Sequence, residues 1–281
     1  MANNKIESMN KHSGRMLKEN NEYINIADKI EDIHADIDLI QSNIETINSN
    51  MQQRVDAVRL SIAKGEVEGA KCVRKFGFNG DIDTDLETIW ESGGLYPWQS
   101  TALNMTLAST EADDDGNTIT LYGLDADYLE IEEDMVLNSA EPPVSTKAFL
   151  RLNRMINKGP DALTGVVTAV NAGTTYAEID NGNNQTLMAT YTVPAGKTAY
   201  VEEISANVGA GKDVTVYYYA RPFGEVFQVK RVRRLYENSI FETFRCPYRF
   251  EEKTDLEVRA VGVSVNNKIA AAFGLLLFDN E

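Results

Sequence analysis

Histidine and cysteine are scarce in this 281-residue chain, with two of each. His12 and His34 both lie in the first 34 residues. The main body therefore lacks the usual general base, and a Ser-His-Asp or Cys-His mechanism and a histidine zinc site are excluded there. Cys72 and Cys246 are too far apart for a zinc cluster and too few for a disulfide framework. Synthesis in a reducing compartment is the expectation. Long apolar runs are also missing. The longest, Ile269 to Phe278, has ten residues, against the roughly 20 needed to span a bilayer. No secretory leader is expected from Met-Ala-Asn-Asn-Lys-Ile-Glu, which has no apolar core. Positive charge is in deficit, with 27 basic against 43 acidic residues and a net charge of −16. That balance excludes a general nucleic-acid binder, which needs a basic face to release counterions, and argues against docking on anionic lipid.

What is present is strongly patterned. Net charge is +1 over residues 1–25, −3 over 26–64, −11 over 65–158 and −3 over 159–281. Residues 1–22 are polar and aperiodic. Such a segment cannot bury enough apolar surface to offset its ordering entropy, so it is expected to be a disordered tail that folds onto a partner.

Residues 23–64 carry the clearest signal. Apolar residues recur at Tyr23, Ile26, Ile30, Ile33, Ile37, Ile40, Ile44, Ile47 and Met51 in alternating steps of 3 and 4. This is an a/d heptad seam. After Met51 the seam shifts to Val55 where Arg54 would be expected, then continues through Val58 and Ile62. The shift is a four-residue stutter that locally unwinds a supercoil. Gly65 is placed to end the helix. The e and g positions are mostly polar, with His34 at an e position, whereas a helix lying on its own globular core usually shows a wider apolar stripe. Isoleucine at both a and d disfavours two strands and favours three or four. A parallel homotrimeric coiled coil is the expectation, a rod of roughly 60 Å at ~1.5 Å per residue.

From Lys71 onward the period changes to two, with Asn-Gly, Asp-Gly and Pro-Ala-Gly punctuation. Strands are expected at 73–78, 103–108, 118–121, 129–137, 149–153, 165–170, 176–179, 186–192, 199–208, 214–220, 225–230, 241–244, 256–265 and 269–278. Many short strands at such spacing mean sandwiches or barrels. The fold class is thus mainly β with an N-terminal helical coiled coil. Two β-sandwich or jelly-roll-like domains are expected at 65–158 and 159–281, linked through Asn157-Lys158-Gly159-Pro160; one interleaved sandwich is the alternative.

Few constellations could carry chemistry. Asp81-Ile82-Asp83-Thr84-Asp85 begins like a calcium loop, but Leu86 and Ser92 occupy the positions that need Gly and Glu. Glu111-x-Asp113-x-Asp115-Gly116 has the glycine, but its twelfth residue is Tyr122. Both are expected to be solvated acidic turns. Glu130, Glu132 and Asp134 share one strand face, expected to meet solvent; catalytic carboxylates of a glycosidase are disfavoured. Lys230-Arg231-Val232-Arg233-Arg234 reads as the only basic cluster and is expected to meet acidic residues of a neighbouring subunit or domain. No Gly-rich phosphate loop occurs. Tyr217-Tyr218-Tyr219 and Trp98 are expected to pack. No metal, cofactor or catalytic residue is expected.

Several phrases resemble structural proteins of tailed bacteriophages, especially marine and environmental ones. They are Met16-Leu17-Lys18-Glu19-Asn20 followed by Ile24-Asn25-Ile26-Ala27-Asp28, and Lys75-Phe76-Gly77-Phe78-Asn79 leading to Thr88-Ile89-Trp90-Glu91-Ser92-Gly93-Gly94. Tyr122-Gly123-Leu124-Asp125 and the stretch from Leu187 to Tyr200 are similar to features of the same β-domains. The resemblance implies a non-enzymatic virion component, a fibre or decoration protein on the head or neck, assembled in the bacterial host cytoplasm. Its partners would be itself and other virion proteins of the capsid or neck, with Arg15, Met16, Leu17 and Lys18 in the anchoring tail. The alternative is a receptor-binding tail fibre recognising host surface glycan. Neither nucleic acid nor membrane is an expected partner.

Overall fold

The computed structural model describes residues 16–19 and 22–280, and the chain divides into two compact units after Glu66. In the first unit, β1 (Met16–Glu19) pairs antiparallel with β2 (Glu22–Asn25), placing Leu17 opposite Ile24 and Lys18 opposite Tyr23. Part of the segment expected to be unstructured is therefore a hairpin. Tyr23, expected as the first seam position of the helix, lies on β2. An aromatic beside a β-branched residue, Tyr23-Ile24, suits a pleated strand. Helix α1 follows as Ile26–Ala63, 38 residues. It ends in a Schellman motif: Gly65 takes a left-handed φ of 75°, Gly65 N donates to the Ile62 carbonyl at 3.0 Å, and Glu66 N donates to that of Ser61 at 2.9 Å. No helix of the described residues is long and apolar enough to cross a membrane.

The second unit is mainly β, built of antiparallel sheets. One four-stranded sheet has the order β15-β12-β17-β3, from β3 (Ala70–Ile82), β12 (Lys197–Val208), β15 (Ser239–Phe250) and β17 (Asn267–Asp279). A second sheet has the order β11-β16-β13-β14, from β11 (Thr190–Thr192), β13 (Asp213–Arg221), β14 (Gln228–Tyr236) and β16 (Asp255–Gly262), with β4 (Glu87–Thr88) also on β16. These two share a core that includes Ile204, Val216, Tyr218, Leu256, Val258 and Phe273. The apolar run Ile269–Phe278 is the inner strand β17, and burial alternates along it, with Ile269, Ala271, Phe273, Leu275 and Leu277 inside.

Two three-stranded sheets surround a second core. One has the order β7-β6-β8, from β6 (Thr118–Leu124), β7 (Glu130–Val136) and β8 (Arg151–Asn157). The other has the order β10-β9-β5, from β5 (Thr106–Ser109), β9 (Val167–Asn171) and β10 (Thr174–Ile179). Met105, Leu121, Phe149, Met155, Val167 and Ile179 fill this core. The blocks 65–158 and 159–281 are interleaved. β3 and β4 join β17 and β16 in the first core, while β9 joins β5 in the second. The chain thus leaves the first core after β4 and returns to it at β11. Asn157–Pro160 does not separate the cores.

A buried ionic and aromatic cluster ties the two cores together. The Arg151 guanidinium grips Asp255 with two bonds of 2.9 and 3.1 Å and donates to the Gln99 carbonyl at 2.8 Å. Arg221 and the Thr192 hydroxyl complete the shell of Asp255. Beside it, Glu257 accepts from the Trp98 indole at 2.8 Å, from Arg259 at 2.7 Å and from Thr88. Arg151 and Arg221 also lie over the Trp98 ring, at 5.1 and 5.2 Å from its centroid. Buried charges are tolerated here because each is paired and hydrogen-bonded.

Candidate functional site

Two features stand out, one in each unit. On α1 the expected trimerisation residues Ile30, Ile33, Ile37, Ile40, Ile44, Ile47, Met51 and Val58 are all exposed, and Ile33, Ile40 and Ile47 retain 55%, 57% and 57% of their surface. Ile62 is buried. The side chains of Tyr23, Ile26 and Val55 lie outside the described residues. Helical spacing lays the exposed residues along one stripe. Of the expected anchoring residues, Met16, Leu17 and Lys18 fall on β1, and Arg15 lies outside the described residues.

In the second unit, a cleft of about 600 Å³ is lined by residues of β3, β6, β7, β8 and β11. One wall is a cross-strand row in which Glu132, Tyr122 and Arg154 stand side by side. Antiparallel pairing puts directly opposed residues on the same face, so the row follows from register. β3 supplies Lys71 and Lys75 to the cleft, and Lys71 Nζ meets Glu130 Oε1 at 2.8 Å.

A bulge shapes the cleft. Along β8, Arg154 pairs with Tyr122 and Leu152 with Gly123, leaving Asn153 as an extra residue with no opposite number. A bulge turns its residue out of the ladder and re-aims what lies beside it. The Asn153 carbonyl accepts a hydrogen bond from Lys75 Nζ, and its side-chain oxygen accepts from Thr192 N at 3.3 Å. Gly123 permits this, since a Cβ there would sit 2.0 Å from the Arg151 carbonyl oxygen.

The electrostatics are unusual for so acidic a protein. Lys75 is buried and makes no salt bridge among the described residues. Desolvation, reinforced by the charge of Arg154, pulls its amine down from 10.5 to about 7. Arg154 itself holds only the Gln185 side chain, at 2.6 Å. Tyr191, also lining the cleft, is 5% exposed, and its hydroxyl has no hydrogen-bond partner among the described residues. Burial first, and then the charge of Glu130, raise its pKa. The cleft therefore offers the Arg154 guanidinium and, when protonated, the Lys75 amine, both without carboxylate partners among the described residues, an unused buried hydroxyl on Tyr191, and the carboxylates of Glu130 and Glu132. It can hold a polar ligand through several directed hydrogen bonds.

Sequence reasoning met parts of this site without joining them. Glu130, Glu132 and Asp134 are exposed, as expected of that strand face; Glu130 and Glu132 also border the cleft, and Asp134 accepts from the Thr120 hydroxyl. Lys230–Arg234 is not the sole concentration of positive charge, because Lys71, Arg74 and Lys75 form another. The expected partners of the first cluster also differ. Arg231 and Arg233 bind Glu242, and Arg234 binds Asp213 at 2.6 Å, all within this chain and this unit. β14 crosses to β15 through a tight turn, which brings Arg231 and Arg233 to Glu242, while Arg234 reaches Asp213 on the paired strand β13. The acidic turns carry structural hydrogen bonds. The buried Asp114 accepts from Ser109, Thr164 and Gly165; burial alone would raise its pKa, but these bonds outweigh it and hold the carboxyl low. Among the described residues, no group of three His, Cys, Asp or Glu side chains is placed to hold a metal ion. Cys72 on β3 and Cys246 on β15 are exposed and not joined to each other. Tyr218 packs inside and donates to the Ser205 carbonyl at 2.9 Å.

No protein-family model matches the chain, and no curated protein matches it. Among solved structures, a chain of the structure of infectious bursal disease virus Gt strain aligns with 76% of this chain and 77% of its own length. Identity is 9% and the TM-score 0.17, a likeness that carries no argument about fold or function.

Proposed function

We propose that this chain is a non-enzymatic structural protein that assembles as a parallel homotrimer through α1 and displays its β-rich unit outward. The exposed isoleucine stripe carries this reading. Fully burying an isoleucine is worth about 1.5–3 kcal/mol. Ile30, Ile33, Ile37, Ile40, Ile44, Ile47, Met51 and Val58 are roughly half exposed in the single chain, so each would gain about 1 kcal/mol more, in three copies, when helices close over the stripe. Isoleucine at both a and d favours more than two strands, and the rest of the helix, mostly polar apart from exposed Leu39 and Leu60, suits a rod surrounded by water. The phage-like phrases support placement on a virion, as a fibre or decoration protein of the head or neck. In that reading the segment up to Asn25 is the anchor. A lone two-stranded hairpin is marginal in water, so β1–β2 would gain from a partner surface.

The test is the mass in solution. Light scattering on the full chain should give three times 31.2 kDa, and Ile37→Asn with Ile44→Asn should give a monomer. A monomeric wild type, or a trimer indifferent to both substitutions, would overturn the assembly. Immunogold labelling of particles tests the virion placement.

A further inference from the structure

We propose that the cleft between β3 and the β7–β6–β8 sheet is a binding site for an acidic sugar, a pyranose bearing a carboxylate. The carboxylate would sit against Lys75 and Arg154, and ring hydroxyls would meet Glu130, Glu132 and the Tyr191 hydroxyl.

Three independent features of the cleft point this way. The first is unbalanced charge. Lys75 and Arg154 lie close enough to repel each other, yet neither has a carboxylate partner among the described residues. A buried cation is costly unless paired, and here the missing partner is an anion that can enter the cleft. Arg154, with a planar fork of donors, suits a carboxylate in particular. The second is the hydroxyl of Tyr191, buried and unpartnered among the described residues, on a side chain that lines the cleft. Leaving such a group unsatisfied costs free energy that a ligand hydroxyl would recover. The third is the bulge at Asn153, which turns a carbonyl toward Lys75 and so fixes the amine in place. Bulges of this kind concentrate beside functional sites.

The class of anion follows from the acceptors. Glu130 and Glu132 border the same cleft. They would repel a phosphate dianion, but they accept hydrogen bonds from hydroxyl groups. A ligand must therefore bring one negative group and several donors. Val73, Ile131 and the Tyr122 ring give its C–H face an apolar surface. The volume, about 600 Å³, lies within the ~300–1,000 Å³ usual for small-molecule sites. All these residues come from one chain, so the site stands whether or not α1 trimerises.

The experiment is calorimetric titration of the full chain with sodium glucuronate and sodium galacturonate. Glucose, acetate and inorganic phosphate serve as separate arms. One of the two uronates should bind at millimolar concentration or below, and the other three about tenfold more weakly or not at all. Arg154→Gln and Lys75→Met should each weaken the uronate about tenfold, as loss of one charge-assisted bond requires. Tyr191→Phe should weaken it about threefold, the folded state of each variant being checked by circular dichroism. Several results would overturn the site: no heat with either uronate at about 50 mM, phosphate or acetate binding as tightly, or full uronate affinity in folded Lys75→Met or Tyr191→Phe. Light scattering on the same samples reads the trimer separately, so the two readings fail independently.

Discussion

Lys75→Met should stabilise the protein at neutral pH and erase a pH dependence that the wild type shows. Lys75 is 8% exposed, and its amine falls from 10.5 to about 7, through desolvation first and Arg154 second. The folded state therefore binds fewer protons than the unfolded chain between pH 7 and 10.5. Stability rises with pH wherever the unfolded state binds more protons, so the wild type should gain across this window. Below pH 7 the charged amine costs its full amount, up to about 5 kcal/mol at ~1.36 kcal/mol per pKa unit. By pH 10.5 that cost is nearly gone. Methionine keeps an unbranched stem and removes the charge, but it leaves the Asn153 carbonyl without its donor, a loss of about 1–3 kcal/mol. The net expectation at pH 7 is about 1–3 kcal/mol of added stability, or roughly 3–10 °C in Tm for a unit of this size. The assay is thermal and urea unfolding of both proteins in steps from pH 6 to pH 10. Lys71 and Arg74 on the same strand, Arg154 on β8, Glu130 and Glu132 on β7, Tyr122 on β6 and Tyr191 on β11 share the cleft with Lys75. They are common to both proteins, so the difference between the two curves isolates Lys75. The advantage of the variant should shrink as pH rises above 7, reach zero between about pH 8 and 10, and then reverse, because the neutral amine still donates to the Asn153 carbonyl and methionine does not. A difference that stays flat with pH, or a variant less stable at pH 6, would refute the reasoning.

Asp255→Asn leaves Arg151 buried without its charge partner and should cost about 3–5 kcal/mol, seen as a lowered urea midpoint; a midpoint within experimental error of wild type would show the cluster to be dispensable. Removing residues 1–25 should leave the light-scattering mass per helix bundle at three chains yet abolish incorporation into particles. Normal incorporation of the shortened chain would remove the anchoring role from β1 and β2.

The period-two rhythm found most strands from β3 to β17, because alternation is set by each residue's near neighbours, but it shifted or misjudged the length of several: β14 runs Gln228–Tyr236 rather than 225–230, β15 Ser239–Phe250 rather than 241–244, β8 Arg151–Asn157 rather than 149–153, β11 only Thr190–Thr192, and β4 was missed. Partner choice was not legible in the same way. β3 pairs with β17 across the whole length of the unit, and nothing local in Ala70–Ile82 specifies a strand that begins at Asn267. The same non-locality hid the cleft, whose walls come from five strands far apart in the chain. The pattern in β3 even points the other way. Its aromatic residues Phe76 and Phe78 are not the inward ones: burial falls on Lys75, Gly77 and Asn79. Gly77 explains the reversal: a Cβ there would sit 2.2 Å from the Ile89 carbonyl and 2.5 Å from Ala189 N, so the strand turns its glycine toward the crowded side. Once Gly77 is known to face inward, period two carries Lys75 inward with it. A lysine two residues from a glycine is thus the one local trace of the cleft. Its meaning rests on the close approach of β3 to the backbone at Ile89 and Ala189, which pairing alone creates.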